Sequence, residues 1–208
     1  MLDQVTSRRT GHRQPAAAGF TLIEAIVTVA ILGVIMTLVA PSAVDWIVMQ
    51  RVKSSASELV TDIRFARGES IKRGQPVVLS FKTVAGTQTC YTVHTRAEGE
   101  TRACNCAKGA SKACDVSPIP GFPMLANTLV ELKLVAVPAS SKVELKPNRA
   151  EERFQSLNGM PDPGMAGSFD VDIDGKSSRL LRVVTNVAGR PVICAPSGSR
   201  IVGYPACT

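Results

Sequence analysis

Residues 19–41 read GFTLIEAIVTVAILGVIMTLVAP, and between Arg13 and Asp45 the one charged side chain is Glu24. A run of this length and composition has few options. About 20 consecutive apolar residues make a helix that spans the ~30 Å hydrocarbon core of a bilayer. A carboxylate there costs roughly 2.5–3.5 kcal/mol at the helix centre and less near an end. Residues 20–44 are therefore expected to form a transmembrane helix whose acid needs a partner. An ionisable group held inside a membrane marks a functional site by default. The plainer alternative is a glutamate snorkelling at the edge of a single-span anchor.

Upstream, the chain is basic and then small. Arg8, Arg9 and Arg13 face the single acid Asp3, and AAAG follows. A secretory signal carries its small-residue cleavage site after the apolar stretch and discards that stretch. Here the small residues come first. Cleavage after Gly19 would remove residues 1–19 as a leader and leave the helix on the product. It would also create an amine on Phe20, four residues from Glu24, supplying the cation that the run lacks. The arginines predict a cytoplasmic leader and an exported C-terminal bulk. Arg51 and Lys53, beyond the other end, moderate that asymmetry.

The stretch GFTLIEAIVTVAILGVI resembles the prepilin leader junction of type IV pilins and type II secretion pseudopilins, through Gly19, Phe20, Thr21, Leu22, Glu24, Gly33 and Pro41. The resemblance implies that a prepilin peptidase cuts after Gly19 and methylates Phe20. It implies that Glu24 faces the N-terminal amine of an adjacent subunit during docking. It places Gly33 and Pro41 where related helices loosen inside assembled filaments. Pro41 removes one helical hydrogen bond and can kink the helix, a defect that neighbours in a bilayer or filament can tolerate. The implied partners are other pilin or pseudopilin subunits, the peptidase and inner-membrane lipid.

Beyond Pro41 the helical pattern becomes amphipathic. Val44, Val48, Val52, Leu59, Ile63 and Ala66 recur at steps of three, four or seven, with charges on the other faces. One helix is expected from Phe20 to about Lys72, ended by Gly74 and Pro76, with residues 45–75 packing on a sheet. Downstream the period falls to two. Strands are predicted at 76–82, 89–95, 129–137, 142–146, 169–173 and 180–187, separated by Gly- and Pro-rich segments. The fold class is α+β, with a long N-terminal helix on an antiparallel sheet and a β-rich head over residues 76–208.

All six cysteines, Cys90, Cys104, Cys106, Cys114, Cys194 and Cys207, follow the apolar run. An even count on one side of a membrane points to disulfides in an oxidising compartment. Zinc is the alternative, but the spacing is not that of paired CxxC ligands, and His94 stands alone. Cys194 and Cys207 bracket a Pro- and Gly-rich terminus and are expected to pair. Cys90 is left with Cys104 or Cys106, and Cys114 with the other. The stretch DVDIDG imitates the start of a calcium-binding EF-hand loop in Asp170, Asp172, Asp174 and Gly175. Leu181 stands where the closing glutamate would be, so strand and hairpin turn are the better reading.

No serine triad, phosphate loop or metal-histidine cluster emerges, so no enzyme and no cofactor is expected. Formal net charge is +7 with 4% aromatic residues, a balance that suits acidic partners or an ordinary basic surface. The segments CYTVHT, FQSLNGMPDPG and VVTNVAGRPVIC are similar to the GspH/FimT family of minor pilins and pseudopilins, and the cysteines favour its pilus-linked side. In that family DNA uptake is associated with a GRxR motif. Here Gly189-Arg190-Pro191-Val192 lacks the second arginine. Arg179, Arg182, Arg190 and Arg200 nevertheless make up a candidate phosphate-binding patch.

Overall fold

Thr21 starts the helix. Its hydroxyl accepts a hydrogen bond from the Glu24 amide (3.4 Å), satisfying one of the donors that a helix N-terminus leaves open. Helix α1 then runs Leu22–Arg73. Lys72 and Arg73 in its last turn favour the negative end of the helix dipole. Gly74 follows at φ +61, the left-handed conformation that lets a chain leave a helix at no steric cost. Both ends lie within two residues of the expected limits. The computed structural model describes residues 19–84, 88–114, 129–163, 169–175 and 178–207, with the side chains of 38–41 and 88 outside that description. The chain divides into two units, Met1–Ala43 and Val44–Thr208.

The second unit is the head, and it includes the later part of α1. Val52, Ala56, Leu59, Ile63 and Ala66 form a fully buried stripe on that segment. Among the described residues eight strands follow: β1 (Val77–Val84), β2 (Gln88–Thr95), β3 (Glu131–Val137), β4 (Glu144–Pro147), β5 (Glu151–Phe154), β6 (Phe169–Asp174), β7 (Leu180–Thr185) and β8 (Pro191–Cys194). They form two antiparallel sheets, ordered β3-β2-β1-β5 and β4-β6-β7-β8, in keeping with the antiparallel head expected. The helix stripe, Leu79, Tyr91, Val93 and Phe154 of the first sheet, and Phe169, Val171, Ile173, Leu181 and Val183 of the second belong to one core. Phe81 joins the sheets through rings 5.2 Å from Tyr91 and 5.7 Å from Phe169.

Strand limits depart from expectation for local reasons. β4 begins two residues late because Lys142 adopts φ 59 after the 3-10 turn Ala139–Ser141. β7 ends at Thr185 because the Asn186 side chain accepts from the Ala188 and Arg190 amides and turns the chain. The hairpin turn read from Asp174-Gly175 lies between the antiparallel strands β6 and β7, with the Gly175 amide donating to the Arg179 carbonyl (2.8 Å). Gly175 is needed for space: a Cβ there would lie 2.6 Å from Val52 Cγ2. The acids of this segment are engaged as strand residues. Asp172 pairs with Arg182 and Asp174 with Lys146, while Val171 and Ile173 point inward.

Three disulfides close the head: Cys90–Cys106, Cys104–Cys114 and Cys194–Cys207. The pair left open by the sequence is thus resolved in favour of Cys106 for Cys90.

Candidate functional site

The first unit presents an apolar helix with exposed side chains. Phe20 is 84% exposed, and eleven large apolar side chains from Phe20 to Met36 face outward. Burying each contributes about 1.5–3 kcal/mol. Together they represent an unmet stabilisation as large as the net stability of a whole domain. Such a surface marks a membrane or protein contact. The hydroxyls of Thr28 and Thr37 donate to the carbonyls of Ala25 (2.9 Å) and Val34 (2.8 Å), which suits surroundings without water.

Glu24 is the one charged side chain on this apolar stretch. Among the described residues no hydrogen bond or ion pair reaches its carboxylate. Its place in the first turn, at the positive end of the helix dipole, offsets part of the cost. The Thr21-Leu22-Ile23-Glu24 spacing is the capping-box pattern, a signal carried by the sequence itself. Among the described residues an added Cβ on Gly33 would meet no atom within 4 Å. Pro41 belongs to the stretch whose side chains lie outside the described residues. Taken as separate helices, neither of the two parts of α1, Leu22–Thr37 and Ser42–Arg73, is long and apolar enough to cross a membrane, whereas together they meet the requirement by length and composition.

In the head, α1 is tied to the first sheet by a buried acid. Asp62 accepts hydrogen bonds from Tyr91 Oη and Lys133 Nζ, both at 2.7 Å, and Glu58 adds a second carboxylate 3.2 Å from Lys133. Burial, with Asp62 alongside, pushes the Tyr91 hydroxyl well above its ordinary value. His94 is buried on β2, and burial holds it down at about 4. Glu152 on β5 is also buried. Burial raises it to about 7 against the opposing influence of Arg149, 2.9 Å away but not aligned for a hydrogen bond.

The four arginines proposed for phosphate binding do not converge. Arg179 is 11% exposed and pairs with Asp45 at 3.0 Å. Arg182 points outward from β7 but is held by Asp172 through two hydrogen bonds of 2.5 and 3.1 Å. Arg190 follows the end of β7, whereas the Arg200 amide is bonded to Ser178 ahead of its start. The expected patch is thus reduced to two exposed cations at opposite ends of one strand. Spacing could not show this, because the carboxylate partners come from α1 and β6.

Residues 55–189 match the family model described as type II transport protein GspH. Residues 15–40 match that of the prokaryotic N-terminal methylation motif. Among solved structures, two crystal forms of the type IV minor pilin FimU of Pseudomonas aeruginosa are similar. One has a TM-score of 0.46 at 13% identity, covering 74% of this chain and 95% of that one. The other has a TM-score of 0.44 at 14% identity, covering 68% and 90%. No curated protein matches.

Proposed function

The chain belongs to the GspH family, that of minor pilins and pseudopilins, and from that premise we propose that it is a FimT-like subunit of a type IV pilus. In this reading a prepilin peptidase removes residues 1–19 and methylates Phe20. The subunit waits in the inner membrane with its head in the periplasm until it is drawn into a filament. Sister helices then replace lipid around the apolar side chains of Phe20 to Met36. The carboxylate of Glu24 meets the amine of a neighbouring Phe20, and that pairing fixes the register between subunits.

The observation that carries this reading is the exposed apolar helix with one unpaired acid in its first turn, directly after a glycine–phenylalanine junction. An anchor alone needs no acid. The three disulfides support the pilus over a secretion pseudopilus, because a subunit displayed outside the cell gains most from covalent closure of its loops.

Intact mass of membrane-extracted protein tests the processing step. The expected product begins at methylated Phe20, and a native chain still beginning at Met1 would overturn the proposal. Glu24→Ala is expected to insert into the membrane but to be lost from sheared filaments. Deleting the gene should remove surface pili and leave protein secretion intact. The opposite phenotype assigns the chain to the secretion system.

A further inference from the structure

We propose that the end of the head where the chain enters it is a docking surface for anionic phospholipid, with Trp46 and Val202 in the interfacial layer and Arg51, Lys142 and Arg200 facing lipid phosphates. The inference rests on the membrane-anchored reading above and adds a second contact with the same bilayer.

Strand register assembles the surface. Glu144 at the start of β4 lies opposite Asp174 at the end of β6, which lies opposite Leu180 at the start of β7; Arg182 lies opposite Cys194 at the end of β8. The connections 138–143, 175–179 and 195–203 therefore leave the second sheet at one end. That end is fastened to the beginning of the helical segment in the head. Arg179 pairs with Asp45, Gly175 packs on Val48 and Val52, and Arg51 Nη1 donates to the Ser141 carbonyl (3.0 Å). The Arg200 amide donates to the Ser178 carbonyl (2.7 Å), holding the terminal segment beside them.

The chemistry of this face is unusual for a surface in water. Trp46, the sole tryptophan of the chain, is 60% exposed, and Val202 is 81% exposed. Tryptophan favours the headgroup layer, where one part of the ring is apolar and one wet. The acids here are already engaged: Asp45 by Arg179, and Glu144 and Asp174 by Lys146 at 3.3 and 2.9 Å. Arg51, Lys142 and Arg200 are exposed, so the face is net positive. The apolar run ends a few residues ahead of Val44. A bilayer holding that run is presented to this face at an effective concentration that no soluble polyanion matches.

The test uses the full chain in vesicles of phosphatidylcholine, with or without phosphatidylglycerol, doped with brominated lipid that quenches indole near the headgroups. Trp46→Phe combined with Val202→Trp moves the indole to the terminal loop. Trp46→Phe combined with Leu157→Trp puts it on the loop of Gly159, which lies against Ile71 near the other end of the head segment of α1. Leu157 is 91% exposed and tolerates the change. The expected result is quenching at 202 but not at 157, only with phosphatidylglycerol and at low salt. Removing one cation by Lys142→Asn or Arg200→Gln should lower the docked-to-undocked ratio about fivefold. In the unmodified chain, amide exchange over 197–202 should slow in phosphatidylglycerol vesicles alone. Quenching and exchange indifferent to lipid charge, in protein that still floats with vesicles, would overturn this proposal and leave the anchor intact. Failure to float at all removes both.

Discussion

Helix α1 carries one acid, Glu24, on its apolar first segment and another, Asp62, beside the buried stripe of its head segment, and the two are treated oppositely. Asp62, in the head, is enclosed and answered within the chain by Tyr91 and Lys133. Glu24, in the first unit, sits on an exposed apolar helix where, among the described residues, the helix terminus alone favours it. The same contrast holds for the apolar side chains: Ile63 is fully buried, whereas Ile31 is exposed. The buried stripe of the head segment is covered within the chain. The first segment leaves its apolar side chains exposed, and on the proposed function the difference separates residues kept for stability from residues kept for assembly.

Ile63→Ala breaks the comparison on the stability side. It should destabilise the head by about 2–5 kcal/mol in denaturant unfolding, whereas Ile31→Ala should leave that value within about 0.5 kcal/mol. Replacing Cys194 and Cys207 together by serine frees a terminal loop with a sequence separation of 13. The expected loss is about 3 kcal/mol on the chain-entropy model, read from the same curves, with the Cys90–Cys106 and Cys104–Cys114 bonds intact by peptide mapping.

Asp62→Ala sharpens the acid-to-acid contrast. It strands Tyr91 and Lys133 and should cost roughly 2–3 kcal/mol. Glu24→Ala should leave head unfolding unchanged while removing the subunit from filaments.

The smallest expected effect is a pH slope. Glu152, at about 7 in the fold against an ordinary 4.5, keeps a proton that the unfolded chain has lost. Stability contributed by this group is complete below 4.5 and falls as pH rises to 7, by roughly 1–3 kcal/mol. His94, at about 4 against 6.5, acts in the other direction, adding stability as pH rises from 4 to 6.5. Glu152→Gln should therefore leave a thermal midpoint that climbs from pH 4 to 6.5 and then levels, where the parent chain is flatter and declines toward 7.

Several of these features were legible in advance because they depend on near neighbours in the chain. Period-3.6 spacing of Val52, Leu59 and Ile63 marks the buried stripe, Gly74 marks the stop, and the short Cys194–Cys207 separation marks that bond. The strand EERF escaped because its period is carried by charges. Glu152 points inward beside Phe154, against the rule that acids stay in water. PVIC escaped because it opens on proline and is only four residues long.

What the amino-acid order determined by itself is the long helix with its one membrane-compatible acid, the β-rich head and the even set of cysteines. These follow from local propensity, hydrophobic period and the energetics of placing charge in hydrocarbon. Only the tertiary structure decided the split into two sheets, the bond of Cys90 to Cys106, the neutralisation of Arg179 and Arg182, and the gathering of Arg51, Lys142 and Arg200 at one end. Each of those depends on segments distant in sequence meeting across the core, and no local pattern encodes which carboxylate or thiol arrives there.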